Sequence, residues 1–406
     1  MTINFLYPVH CLIFFIGMLL SPVVLSADEN TIRIGLSGPF TGGSAPMGES
    51  MRNGVRLAVE EINGIGGIHG RLIELIERDD QANNELGAKI ADELTRMKVA
   101  ATIGIVNTGV GLASIDYYQS AKIPLMIAVS TGPALTRKYM PPAAPGNFIF
   151  RVSPTLDLEA RIIASDLKRR GLTRVALMAD VTPYGDSGQQ AFSEQARLAG
   201  LDVVSQLRFK IGDADMSSLL QRGRAAGAAV VVGWGIGPEL AQIARGMQTM
   251  GWRVPLVGSW TLSMRNFIDA AGVSGEGSLM PQTFIQDAGS TNKNSFLLAY
   301  RRSFRTDLIP SPMSAAQGYD GMHLLALAMR QAKSLDGDTL RRALESLEFR
   351  YQGVVTSYEK PFSTGDHDAI TANMMVMGRV SGGRVGYAYH EDQQRGALVK
   401  IKQKAN

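Results

Sequence analysis

From Thr31 onward the chain alternates short β-branched runs with stretches of helical periodicity, and this alternation restricts the fold more than any other feature. Residues 31–36, 71–77, 102–106 and 123–129 read as strands. Between the first two, Met51, Val55, Ala58, Val59 and Ile62 recur at helical spacing and end at Asn63-Gly64, as a helix C-terminus should. Leu86, Ile90, Leu94 and Met97 repeat the pattern before the third strand. Strands separated by helices pair in parallel and need helices on both faces of the sheet.

A second series follows the Pro/Gly-rich stretch 141–146, with strands at 174–179, 201–207, 228–234 and 254–258. Helical patterns at 291–306, 315–333 and 337–347 then give way to a β-rich tail at 354–358, 370–380 and 385–389. The 406 residues suffice for two domains. The predicted class is therefore α/β, as two doubly wound three-layer lobes, with a tail that returns to one of them. In open α/β sheets ligands sit beyond the carboxyl ends of the strands, so the loops that follow strands are the candidate sites.

Charge and cysteine usage exclude several functions. Lys and Arg number 41 against 37 Asp and Glu, a net +4 spread thinly along the chain, so no basic stripe for nucleic acid forms. The longest basic run, Lys168-Arg169-Arg170, reads as a helix end. The single cysteine, Cys11, rules out a disulfide framework and a cysteine-built zinc site. It lies in residues 1–27, which hold no charged side chain and an apolar run broken by Ser21-Pro22. That pattern reads as a secretory signal with cleavage near Ala27, the alternative being an uncleaved anchor. No later segment approaches membrane-spanning length.

Enzyme signatures fail one by one. Gly64-Ile65-Gly66-Gly67-Ile68-His69-Gly70 leaves a helix rather than joining strand to helix, and Gly233-Trp234-Gly235-Ile236-Gly237-Pro238 has proline where a dinucleotide fingerprint needs its third glycine. Gly185-Asp186-Ser187-Gly188 copies a protease tetrapeptide but sits where a helix begins, with Asp186 or Ser187 as its cap. The five histidines never pair at helical spacing, and His367 reads as part of a turn. Glu60-Glu61 and Asp79-Asp80 are neighbours that point in different directions. We expect no catalytic residues, no cofactor and no metal.

Three loops offer hydroxyls or bare amides between a strand and a helix: residues 37–48, Asn107-Thr108-Gly109 and Ser130-Thr131-Gly132-Pro133. Helix N-termini carry unpaired N–H groups and a positive dipole end. Thr108, Ser130 and Thr131 together are therefore suited to holding a carboxylate without any arginine. Each taken singly reads rather as a helix cap, and it is their convergence on one sheet edge that favours a binding role.

With these motifs the chain resembles the leucine/isoleucine/valine-binding family, the periplasmic substrate-binding proteins of ABC importers. The resemblance rests on Ile34-Gly35, Ser37-Gly38-Pro39, Gly48, Asn53-Gly54, Glu61-Ile62-Asn63, Gly66-Gly67-Ile68-His69-Gly70 and Asp79-Asp80. Further along, Ile123-Pro124, Pro133, Leu135-Thr136, Phe150-Arg151, Tyr184-Gly185 and Gly318-Tyr319-Asp320 continue it.

It implies a type I venus-flytrap with a three-crossover hinge near 148–154, 279–284 and 354–360. The lobes would be 28–150 plus 283–355, and 151–282 plus 356–406. It implies that Thr108, Ser130 and Thr131 hold the ligand's carboxylate, that Tyr184 closes over it, and that Met47 lines the pocket mouth. Trp234 and Tyr319 complete the expected binding set. Amino-acid binders of this family hold the α-ammonium with an acid after the strand equivalent to 254–258. This chain reads Gly258-Ser259-Trp260-Thr261 there. Trp260 thus either faces the ligand or packs under its loop. The expected ligand is a small carboxylate, either a branched-chain amino acid or an aromatic or aliphatic organic acid. The expected partners are the permease subunits of an ABC importer, with the binding protein itself a monomer. The alternatives are a ligand-sensing receptor or amide-type regulator of the same fold and, further off, a dinucleotide-dependent enzyme.

Overall fold

The computed structural model describes residues 31–287, 289–396 and 401–403 together with the first two; the expected leader lies outside them. Two sheets form the frame. The first holds β1 (Thr31–Gly38), β2 (Leu72–Asp79), β3 (Ala101–Gly104), β4 (Leu125–Ile127) and β5 (Ile149–Arg151), all parallel, in the order β2-β1-β3-β4-β5. The second holds β6 (Arg174–Asp180), β7 (Asp202–Phe209), β8 (Val230–Trp234), β9 (Leu256–Gly258) and β10 (Leu279–Gln282). A two-residue hairpin, β11 (Tyr351–Gln352) with β12 (Ser357–Tyr358), stands apart. β13 (Val376–Ser381) and β14 (Arg384–Tyr387) then add an antiparallel edge to the second sheet. Its order is β14-β13-β10-β9-β8-β6-β7.

Each parallel core thus winds the same way, with the second strand outermost and the order reversing between the first and third. That reversal opens a crevice at the strands' carboxyl ends, between β1 and β3 in one lobe and β6 and β8 in the other. The inner strands are buried on both faces, as parallel strands under two helical layers must be.

Local chemistry fixes the layers. The apolar stripe of helix Ala45–Gly64 (Met47, Met51, Val55, Ala58, Ile62) is buried against helix Pro312–Gln331. The two backbones approach so closely at Gly54 that a Cβ there would lie 2.0 Å from the Ala315 carbonyl oxygen. Asn63 ties the end of this helix to β2: its side-chain amide donates to Ile73 O at 2.9 Å, and Ile73 N–H donates to its Oδ1 at 2.8 Å.

The crossovers fall at residues 152–155, at 283–284 and between Ile370 and Val376. The third differs from the expected 354–360, because residues 357–370 still pack on the first lobe. Tyr358, Phe362 and Ile370 join its apolar core. Residues 367–369 run beside β5, with Arg151 N–H donating to His367 O and Ala369 N–H to Arg151 O, both at 2.9 Å. His367 forms no mere turn: its buried ring stacks on Phe150 at 4.0 Å. The segment 356–375 therefore belongs with the first lobe, not the second. Among the described residues no helix is long and apolar enough to cross a membrane.

Gly54→Ala is expected to destabilise the protein by about 1–3 kcal/mol in urea denaturation. The methyl meets backbone rather than a movable side chain, which outweighs the gain in helix propensity of about 1 kcal/mol.

Candidate functional site

The loops at both strand reversals converge on one cavity of about 700 Å3 between the lobes. From the first lobe come the loop after β1 (Gly43, Ser44, Met47), the loop after β2 (Gln81 to Glu85), and Val106 to Gly109 with Val129 and Thr131. From the second come Thr182 to Tyr184, Ile211, Ile236, Pro238, Glu239, Trp260 and Thr261. The lobes touch directly where Asn266 Nδ2 donates to Gly43 O at 3.2 Å.

Side chains from strand ends shape the first-lobe wall. Asp79, closing β2, accepts Phe40 N–H at 2.8 Å and the Thr41 hydroxyl at 2.7 Å, which folds the loop after β1 toward the cleft. Beside it Asp80 is buried and accepts Ala82 N–H, and burial pushes its carboxyl up to about 6. After β3 the chain turns sharply inward: Ile105 is held at φ +60°, a region β-branched residues rarely enter, with its N–H on Ser37 O. Helix Thr108–Ala121 then starts with its N-terminus at the cavity.

The Thr108 and Ser130 hydroxyls lie 3.1 Å apart, both buried. Thr131 Oγ1 and Asn107 Oδ1 are buried with no hydrogen-bond partner among the described residues. The helix after Pro133 spans only Ala134–Arg137, so the loop 130–133 owes its conformation to something other than a helix dipole. Three consecutive carbonyls are instead held by the first crossover. Ser153 Oγ donates to Ser130 O at 2.8 Å, Leu156 N–H to Thr131 O at 2.9 Å, and Arg151 Nη1 to Gly132 O at 2.7 Å. Arg151 is fully buried and also reaches Thr136 Oγ1 and Asp368.

On the second-lobe wall, Thr182 rather than Asp186 or Ser187 caps helix Pro183–Ala199, accepting Gly185 N–H. The Tyr184 hydroxyl stands near Ser259 and Thr261, but those two are committed to each other at 2.7 Å, and it has no partner of good geometry. Trp260 lies across the cavity wall, 3% exposed, in one apolar cluster with Met47 and Val106. Its indole N–H has no partner in the chain, whereas its backbone N–H donates to Glu159 Oε2 at 3.1 Å. Glu159 is wholly buried, and desolvation pushes its carboxyl up to about 8. Glu239 accepts Gly212 N–H at 2.9 Å and, like Glu85, occupies the first turn of a helix, where the dipole favours a carboxylate.

Of the residues singled out from sequence, Met47, Thr108, Thr131, Tyr184 and Trp260 line the cavity, and Ser130 backs Thr108. Two do not belong to it. Trp234 is fully buried inside the second lobe, 5.8 Å from the Phe192 ring and against Gly188, because it is the last residue of β8 and points into the helical layer. Tyr319 lies on helix Pro312–Gln331 and donates its hydroxyl to Glu61 at 2.6 Å, with Phe296 beside its ring. Sequence reasoning missed Asn107, Glu159, Glu239 and the role of Arg151. Local patterning marks Glu159 and Glu239 as ordinary first-turn helix acids, and only the tertiary fold brings Glu239 to the cleft and Glu159 behind Trp260. No cluster of metal-ligating side chains occurs among the described residues.

A family model described as "Periplasmic binding protein" matches residues 31–384. "Leu/Ile/Val-binding protein homolog 3" of Brucella melitensis is 26% identical over 312 residues, 77% of this chain and 82% of its own. The periplasmic binding protein type 1 from Bordetella pertussis Tohama I superposes with a TM-score of 0.80 at 27% identity, over 88% of this chain and 99% of that one. A solute binding protein of an ABC transporter from Rhodopseudomonas palustris BisB5, solved with 3,4-dihydroxy benzoic acid, gives a TM-score of 0.75 at 22% identity, over 88% and 95%. At that identity the likeness concerns the fold.

Arg151→Met leaves Asp368 unpaired and Gly132 O without its donor. The expected cost is about 3–5 kcal/mol of stability, seen as a lower melting temperature and partly recovered by adding Asp368→Leu.

Proposed function

The chain belongs to the periplasmic binding protein family, and on that premise we propose that its cleft captures a small monocarboxylate for delivery to the permease subunits of an ABC importer. Proteins of this kind bind solutes and perform no chemistry on them. In this reading the chain is exported through its N-terminal segment and works in the periplasm as a monomer.

The observation that carries the ligand class is the pairing of hydroxyls and helix amides on one wall with an indole on the other. Among the described residues no Lys, Arg or His lines the cavity. The Thr108 and Thr131 hydroxyls and the amides opening helix Thr108–Ala121 supply the donors for a carboxylate. Buried polar groups rarely go unpaired, and Thr131 Oγ1, Tyr184 Oη and Trp260 Nε1 are three unpaired donors around one space. Met47, Val106, Val129, Ile236 and the Trp260 face suit an apolar or aromatic body. At the position where the family's amino-acid binders place an acid, this chain has Trp260. A buried ammonium without a carboxylate costs several kcal/mol, and a cation–π face returns only about 2. The dihydroxybenzoate-bound relative supports an aromatic acid. Glu239 favours a second reading, an α-amino acid, because it is a second-lobe carboxylate on the cavity wall.

Calorimetric titration with benzoate, 4-methylpentanoate, phenylalanine and leucine tests both. The expected result is binding of the acids without need of an amine. Tight leucine binding with no response to the amine-free acids sinks the monocarboxylate reading. Thr131→Val should weaken binding at least about tenfold, the worth of one hydrogen bond to a charged group. It should leave the melting temperature in place, because this hydroxyl has no partner in the chain.

A further inference from the structure

Glu159 occupies the first turn of helix Leu156–Arg169, directly after the first crossover, with its side chain completely buried. Oε2 accepts the Trp260 backbone N–H, and Oε1 has no hydrogen-bond partner among the described residues. The groups that face it are few. Tyr184, on helix Pro183–Ala199, lies within its electrostatic reach, and Asp180 at the end of β6 acts on the same hydroxyl. Glu239 in turn acts on Asp180. The other charged residues of the Tyr184 helix, Asp186, Glu194 and Arg197, are exposed, Asp186 pairing with Arg208 and Glu194 with Arg197. The loop Ser259–Thr261 and β10 add only hydroxyls and the Gln282 amide, whose N–H donates to Trp260 O at 3.4 Å. Among the described residues no cation pairs with Glu159.

We propose that Glu159, placed behind Trp260 and Tyr184, is the positioning residue that sets which ligand charge the cleft accepts and makes capture depend on its own ionisation. This deepens the monocarboxylate reading and rests on it. As a neutral acid, Glu159 keeps the Trp260 amide in place and adds no negative charge beside an incoming anion. Once ionised, it puts a buried negative charge behind the wall opposite the bound carboxylate, across an interior that screens the repulsion poorly. Burial holds its pKa near 8. The sign follows: a bound anion raises that pKa further, so affinity is level below about pH 8 and falls above it, and binding near pH 8 takes up protons.

The test is calorimetric titration of the full chain with benzoate and 4-methylpentanoate between about pH 6 and 9.5, in buffers of differing ionisation heat. For the unaltered protein the dissociation constant should rise by up to about tenfold per pH unit above pH 8, with proton uptake. Glu159→Gln keeps an acceptor for the Trp260 amide and should match the unaltered protein at pH 6 within about threefold. Its affinity should then stay flat to pH 9.5, with no proton uptake. A flat profile in the unaltered protein overturns the inference while the ligand reading stands, and so does an unchanged fall in Glu159→Gln. The proton-uptake measurement needs no variant and decides the matter even if Glu159→Gln folds poorly. Leucine bound in place of both acids removes the ligand reading and this inference together.

Discussion

Everything at the cleft depends on how the first crossover grips the loop after β4. Three successive carbonyls, of Ser130, Thr131 and Gly132, each receive a donor from residues 151–156. The strongest is the Arg151 guanidinium, because a charged donor in a dry interior makes the tighter bond. Its burial is tolerable only because Asp368 arrives from a segment more than two hundred residues downstream. The last of the three donors, Leu156 N–H, already belongs to the first turn of a second-lobe helix. The first crossover and the loop 130–133 are therefore one hydrogen-bonded unit, and a rotation at the crossover is felt directly by Thr131.

The same helix carries the link across to the opposite wall. Three residues after Leu156, Glu159 accepts the Trp260 amide, so both halves of the cavity hang from residues 151–159. This explains how an indole occupies a position where a carboxylate serves other members of the family. The acid is not missing from the neighbourhood; it lies one layer deeper, bound to the backbone that presents the ring. Burial there separates it from any counter-charge, and the cleft gains an ionisable group that does not line it.

The parallel cores were legible in the sequence because buried strands and amphipathic helices have distinct periods. The helix end at Asn63-Gly64 could be read from residue type alone, whereas Asp79, read only as one of two neighbouring carboxylates, gave no sign of the loop it holds. Thr108, Thr131 and Tyr184 were legible because each follows a strand end. Trp234 and Tyr319 misled because an aromatic ring near a strand end or in a shared motif looks the same whether it faces ligand or core. In both cases the direction of the side chain decides, and that is set by the packed layers. The third crossover was placed too early because the run 354–358 reads as a strand without revealing its partner. Among the described residues it pairs only with residues 351–352, and what keeps the following segment on the first lobe, the clamp of residues 367–369 on β5, depends on Arg151, which lies far away in sequence.

The interleaving of the chain also orders its assembly in time. The first sheet can form from residues 31–151, but the helix that covers Gly54 and the strand-like segment that neutralises Arg151 emerge from the ribosome after every parallel strand of the second lobe. Until residue 368 arrives, the first lobe exposes apolar helix faces and one uncompensated buried cation. Closing loops of that length is slow, and half-built α/β sheets aggregate. The connectivity therefore keeps the nascent first lobe from reaching a finished state until nearly the whole chain has been made.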